Sequence, residues 1–490
     1  MIDNFNVTAE RDTLLPVVMK YRCRVVFTTR SRLNNYVCMQ LEEITEKETL
    51  FQLMSCYHSC AEKYRSILLQ IIETVHSHTL AVELAARLLE KGILEPSDLL
   101  LKLQSEKAAP NISDKIGITK DGKTIKDTYY GHIHILFSLY QLSKQEQNIM
   151  CNISMIPFTG ISSKLFAKWL KLSDLNIVND LIEMGFIVPK PGQAIALHPM
   201  IQEIAVADTK PSIQKCLTLC QSLQETCLLH GKDVSYYKMM FQTIENLIVL
   251  AEKDDMVYYL RFLEDVFPYM EKYHYEIGMK TVLNEIHQIL DMPFGEIKDK
   301  ALFLDYCAAC EKKVEKAIKL EKEALSLLTE INVDNAHLTV TANIYANLGA
   351  LYREVGQTTF AKKYMETGIT ILEQYNLIYM NDSIAQICNY SILLAETGEA
   401  ERGLTALRKL ARIVKNCNTE FSSDYAAIQE SMANICLVQG NISEATSHFK
   451  KAIQIYEIVW ENEPELIETK RLEIQQLYPQ AGIAMAKSII

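Results

Sequence analysis

Glycine and proline are scarce, 17 and 12 in 490 residues. Both interrupt regular structure, so their scarcity favours long helices over turn-rich sheets. No apolar run of about 18 residues occurs and no charged-then-apolar leader is present, which disfavours a membrane span and export. The 13 cysteines are odd in number and follow no framework spacing. They read as thiols of a reducing, cytoplasmic setting rather than as a disulfide scaffold. Basic excess is lacking too: the net charge of −11 disfavours direct nucleic-acid binding, which needs a surface that neutralises phosphates. Finally, no Gly-x-x-x-x-Gly-Lys-Ser/Thr segment occurs, so the backbone cradle and lysine of a phosphate loop are missing from the sequence.

What is present suits a soluble chain of several domains, with 49% apolar and 23% charged residues. The fold class expected is mainly α, with a small α/β portion at the start. The run Arg24–Thr29, with Val25, Val26 and Phe27, reads as a strand buried on both faces, and Val37–Leu41 as a further strand. A helix follows over Glu46–Tyr57, with Leu50, Leu53 and Met54 on one face. From Glu62 to Lys102 the pattern is purely helical, with one stripe of Ile67, Leu68, Ile71, Ile72 and Val75 and a next of Leu80, Leu84, Leu88 and Leu89. Residues 104–128 are polar, contain Pro110, Gly117 and Gly122, and read as a linker.

Residues 129–210 read as three helices and a hairpin. Ser143, Ser162 or Ser163, and Asp174 stand where N-caps belong, and Gly185 is placed to end the third helix. Phe186–Val188 and Ala194–Leu197 flank the turn residues Pro191 and Gly192. That order is a winged helix. Beyond Pro211 the chain is helical, and Gly356, Gly398 and Gly440 recur every 42 residues, as do the small residues Ala361, Gly403 and Ala445. Such a period means stacked helical hairpins, with a less regular one at Ala301–Leu328 containing Ala317 and Ala324.

Three short segments, in this order, resemble the STAND class of signal-transduction ATPases, the group containing the NB-ARC proteins. Val26-Phe27-Thr28-Thr29-Arg30 is similar to the family's sensor segment, whose arginine reads the terminal phosphate. Ser77-His78-Thr79-Leu80-Ala81-Val82 falls where the family has a Gly-Leu-Pro-Leu-Ala-Leu helix start beside the adenine. Leu197-His198-Pro199-Met200 resembles the end of the winged helix, where a histidine contacts the β-phosphate in the resting state. Met1–Asn6 looks like the end of a Walker B strand cut short, with Asp3 at the Mg²⁺ position and Asn4 where many relatives have a second acid. Thr79 replaces the family's proline and Pro199 its aspartate. The repeats resemble tetratricopeptide arrays.

The resemblance implies a remnant of a P-loop nucleotide domain at 1–58, a helical lid and linker at 59–128, a winged helix at 129–210, a helical connector at 211–300 and tetratricopeptide-like repeats at 301–490. It implies Asp3, Arg30, Thr79 and His198 as nucleotide-site residues, with ADP or ATP and Mg²⁺ bound only where the missing phosphate loop is supplied. Bland roles stand beside these: a strand-end arginine for Arg30 and a polar cap for His198. With half of the electrostatic constellation absent, no catalytic residue is assigned and ATP hydrolysis by this chain alone is not expected.

Cys56-x-His58-x-Cys60 and Cys307-x-x-Cys310 lack the ligand number or the context of metal and redox sites, and read as packing cysteines. In the repeats, Asn347 and Asn389 share a register on the first helices, with Asn343, Arg353 and Asn434 nearby. Asparagine amides donate and accept at once, which matches an extended peptide. The expectation is a non-catalytic sensor or scaffold that binds a protein or peptide in the repeat groove, with oligomerisation open. The alternatives are a regulatory ATPase active only with an upstream P-loop segment, and a peptide-sensing transcriptional regulator. The helix after Asp174 carries Asp180 and Glu183 and no basic residue, which argues against DNA contact.

Overall fold

The structure, a computed structural model, describes residues 46–105, 128–228, 236–292, 296–328, 335–375, 383–416, 421–460 and 464–480, with a few single positions and short pairs between them. It is mainly α. Asp3, Arg30 and the segment Val37–Leu41 lie outside the described residues. Of the expected buried strand only Val26 is described; it is exposed and belongs to no regular element.

The chain divides into two compact units. One holds the described residues up to Ser154 together with Asp174–Thr209; the other holds Met155–Ser173 and the described residues from Lys210 onward. In the first unit the helices are α1 (Lys47–Tyr57), α2 (Arg65–Thr74), α3 (Thr79–Glu90), α4 (Pro96–Ser105), α5 (Thr128–Leu139) and α6 (Lys144–Ile153), with α8 (Asn176–Glu183) and α9 (Pro199–Thr209). Helix α1 packs on α2 and α3, α2 on α4, and α3 on α5. The stripes foreseen contribute Leu50 and Met54 of α1, Leu68, Ile71 and Ile72 of α2, and Leu84, Leu88 and Leu89 of α3, all buried, while Leu53 is half-buried and Phe51 is buried in addition. Helix α1 therefore shares a core with the helices that follow it.

Short strands β1 (Thr119–Lys120) and β2 (Lys123–Thr124) pair within the expected linker. Ser143 caps α6 with a full capping box, its hydroxyl accepting from the Glu146 N–H while the Glu146 carboxylate accepts from Ser143 N–H at 2.6 Å. Asp174 Oδ1 accepts from the Asn176 N–H at 2.9 Å at the start of α8. At the other end Gly185, at φ 83°, reverses the chain into β4 (Ile187–Lys190), which pairs antiparallel with β5 (Ala194–Leu197). Arg87 of α3 ties this unit together. Its guanidinium accepts no hydrogen bond and donates to Glu83 Oε1 at 2.8 Å and to the carbonyl of Glu183 at 3.0 Å, and it lies 4.2 Å from the centre of the Tyr57 ring. A cation on the last carbonyls of α8 also complements the helix dipole.

The second unit begins with β3 (Ile161–Ser162) and α7 (Ser163–Trp169), and continues through α10 (Leu217–Leu228), α11 (Tyr237–Leu250), α12 (Met256–Lys272) and α13 (Glu276–Leu290). An aromatic cluster fills α11 to α13, with the Tyr237 and Tyr273 rings stacked at 4.1 Å and Phe241 on Tyr275 at 5.1 Å. Four hairpins follow: α14 (Ile297–Cys310) with α15 (Val314–Leu328), α16 (Asn335–Glu354) with α17 (Thr358–Gln374), α18 (Ser383–Glu396) with α19 (Ala400–Asn416), and α20 (Ser423–Val438) with α21 (Ile442–Val459). Helix α22 (Pro464–Gln480) packs on α21. Gly356, Gly398 and Gly440 all adopt left-handed backbone, φ 74°, 89° and 75°, at the three reversals.

Candidate binding site in the helical repeats

Counting back 42 residues from Asn347 reaches Asp305, and counting forward reaches Asn389 and Ser431. These positions form a ladder on the first helices α14, α16, α18 and α20. Asn347 Nδ2 donates to Asp305 Oδ1 at 2.8 Å. Behind this pair lies Glu321 of α15, 2% exposed. Burial, and then the neighbouring Asp305 carboxylate, push the Glu321 carboxyl far above the usual carboxylate range, so it is protonated at neutral pH.

Two other residues expected to face a peptide are also tied into the superhelix. Asn343 Oδ1 accepts from Gln386 Nε2 at 2.5 Å, and Arg353 pairs with Glu396 of the next hairpin. Asn389 is exposed and Asn434 half-buried. Thus Asn347, Asn343 and Arg353 hold neighbouring repeats in register, and Asn389 is the best presented of the five.

A cavity with an apolar floor lies elsewhere in this unit. Helices α17, α18 and α19 enclose about 190 Å³ floored by Ile369, Ile387, Leu394 and Leu410. Its rim is an ordered ionic network. Arg402 donates to Glu366 and to Glu399, each at 3.1 Å, Lys362 pairs with Glu399, and Tyr390 Oη donates to Glu366 Oε1 at 3.2 Å. An apolar floor with a few convergent polar groups is the usual composition of a ligand pocket. The sequence reading missed it by looking only to the first helices. The signal was the apolar face of α19 continuing through Ala406, Leu410 and Ile413 beside a cationic face.

Of the residues expected at a nucleotide site, Thr79 is the first residue of α3, with His78 at its N-cap. His76 and Ser77 before it both have left-handed backbone, φ 53° and 60°. Glycine in the family pattern stands at the position of Ser77, where L side chains are strained, and proline at that of Thr79, a first helical position where its fixed φ fits. Ser77→Gly is expected to raise stability by about 0.5 kcal/mol, the left-handed cost less the glycine entropy, read as a small rise in denaturant midpoint. His198 precedes α9 and its Nδ1 accepts from the Met200 N–H at 3.3 Å.

The paired cysteines need one correction. Cys56 and Cys60 are exposed rather than packed, while His58 between them is buried with its Nδ1 3.2 Å from Glu90 Oε2. Cys307 and Cys310 sit one turn apart in α14, where burial pushes the Cys307 thiol up to about 11.

No protein-family model matches the chain, and no curated protein does. Among solved structures it is similar to the Signal Transduction ATPase with Numerous Domains (STAND) protein with a tetratricopeptide repeat sensor from Pyrococcus horikoshii. The TM-score is 0.51 at 15% identity, over 93% of this chain and 61% of that one. The chain thus spans about three-fifths of that protein's length, and at this identity the likeness is one of fold. Lower-scoring matches include a Rap protein complexed with competence and sporulation factor (TM-score 0.34, 14% identity, 65% of this chain and 92% of that one). A putative kinesin light chain with nearly identical TPR-like repeats from Podosopora anserina scores 0.32 at 12% identity, over 42% of this chain and 99% of that one. Among the described residues no helix is long and apolar enough to cross a membrane.

Proposed function

We propose that this chain is a non-catalytic sensor or scaffold of STAND type that binds a protein or peptide through its helical repeats. The carrying observation is the 190 Å³ cavity between α17, α18 and α19, with its apolar floor and its rim of Glu366, Tyr390 and Arg402. An apolar peptide side chain fits the floor, and the alternating charges of the rim offer partners to the flanking backbone and to a charged neighbour. The exposed Asn389 is a further contact for an extended segment. Organisation into lid, winged helix, connector and repeats accords with the fold likeness and with the left-handed Ser77 before α3. Thr79 and His198 are the described residues of the nucleotide site in this reading, which assigns them binding rather than catalysis.

The test is a short-peptide library selected against the full chain, with affinities of the winning peptides measured for variants. Ala406→Trp places an indole in the cavity from a half-buried position. It is expected to weaken binding at least ~10-fold, roughly the loss of one buried anchor, with unchanged circular dichroism. Peptides that bind this variant as well as the parent would sink the pocket as the site. Calorimetry with ADP and Mg²⁺ tests the nucleotide part separately.

A further inference from the structure

The three helical hairpins closed by Gly356, Gly398 and Gly440 carry an equivalent trio of positions: the fourth residue before the glycine, and the fourth and eighth after it. In the first the trio is Tyr352, Phe360 and Tyr364, whose rings stack at 5.3–5.4 Å. In the second it is Leu394, Arg402 and Ala406, which line the cavity. In the third it is Cys436, Glu444 and His448, whose ligating atoms all lie within 4.8 Å of one another. These places hold an aromatic stack in the first hairpin and Leu394, Arg402 and Ala406 in the second, so the fold does not demand a thiol, a carboxylate and an imidazole together.

The geometry points to a zinc-type metal site formed by Cys436, Glu444 and His448. Glu444 and His448 are i and i+4 on α21, one face of the helix, and the left-handed Gly440 returns α20 so that Cys436 stands opposite them. The second observation is the histidine's own partner. His448 Nδ1 lies 2.9 Å from Gln429 Oε1, and Gln429 is buried at 3% exposure. An amide oxygen can only accept, so Nδ1 carries the proton and Nε2 keeps its lone pair, the tautomer and support that metal-binding histidines require.

Thiolate, imidazole and carboxylate suit a borderline divalent ion such as Zn²⁺, around which such atoms stand roughly 3.3–3.6 Å apart, so the three close in slightly on binding. Thiolate and carboxylate together neutralise the ion. The nearby cation Arg408 has Glu401 as its own partner at 3.8 Å, and Lys451, whose charge also reaches His448, lies near the Tyr425 hydroxyl. Three protein ligands leave a fourth position for water.

The test uses the full chain with Cys56→Ser and Cys60→Ser as the reference, removing the exposed thiols, stripped of metal and titrated with Zn²⁺ and Co²⁺. One equivalent is expected to bind, with a thiolate-to-cobalt charge-transfer band. Cys436→Ala should abolish that band, and His448→Ala, which restores the residue type of the preceding repeat, should weaken Zn²⁺ at least ~10-fold. Gln429→Ala should weaken it ~10-fold with the band retained, as loss of a supporting partner does. Absence of the band in the folded reference protein, or Zn²⁺ affinity unchanged by His448→Ala, overturns the proposal.

Discussion

Gly403→Leu is expected to destabilise the chain by about 3 kcal/mol, the upper range for overpacking a close contact. Gly403 lies in α19 where it crosses α18, and a Cβ built there would stand 2.5 Å from the Ser391 carbonyl oxygen and 3.2 Å from Ile435 Cδ1. The first obstacle is backbone, so no rotamer change relieves it; α18 and α19 must separate, or α19 must slide against α20. The equivalent crossings show what the geometry allows. In the preceding hairpin the glycine is on the other helix, Gly349, whose added Cβ would meet Met365 Cγ at 2.4 Å, while Ala361 is tolerated. In the following hairpin Ala433 faces Ala445, both fully buried.

Gly403→Ala is therefore expected to cost less, about 1 kcal/mol, because the gain in helix propensity offsets part of the clash. Ala361→Gly should also destabilise by about 1 kcal/mol, so the same repeat position resists change in opposite directions in adjacent hairpins. In a stacked array each repeat contacts its neighbours, so hydrogen exchange should accelerate in α18–α21 with α14 and α15 less affected. Uniform protection in Gly403→Leu would show that the crossing is wider than described.

These crossings mark what the sequence made readable. The 42-residue spacing of Gly356, Gly398 and Gly440 fixed the hairpins because a left-handed reversal favours glycine wherever it recurs. Ser143 and Gly185 were legible for the same local reason, each closing a helix end, whereas Asp174 stands one residue before the actual N-cap, Leu175. Side-chain pairings were harder, because a polar residue on a first helix looks identical whether it meets a peptide or its neighbour. Asn347 illustrates this. Its donor is spent on Asp305, a partner that the repeat period itself would have found one unit upstream. The cavity was harder to read for another reason. It arises from the gap between second helices α17 and α19, a property of how hairpins stack rather than of any one segment.

Glu321→Gln is expected to stabilise the protein, and by an amount that grows with pH. Asp305 and Glu321 are 7% and 2% exposed, and Glu321 Oε2 has no hydrogen-bond partner among the described residues. Burial and the Asp305 carboxylate hold the folded-state pKa of Glu321 far above that of the unfolded chain. Above about pH 4.3 the unfolded glutamate gives up its proton while the folded one retains it, so stability falls as pH rises through neutrality. A glutamine presents the same shape, donating as the protonated carboxyl does, without that linkage. The gain should be near zero at pH 4 and grow by up to about 1.4 kcal/mol per pH unit above the unfolded pKa, so up to about 4 kcal/mol separates pH 5 from pH 8. Asn347→Ala moves in the other direction, costing about 1–2 kcal/mol by removing a donor from the buried Asp305 carboxylate. Denaturant unfolding of parent and variants at pH 5 and 8 checks both. A Glu321→Gln gain that is equal at the two pH values would show that the glutamate is ionised in the folded protein, contrary to what its burial beside Asp305 requires.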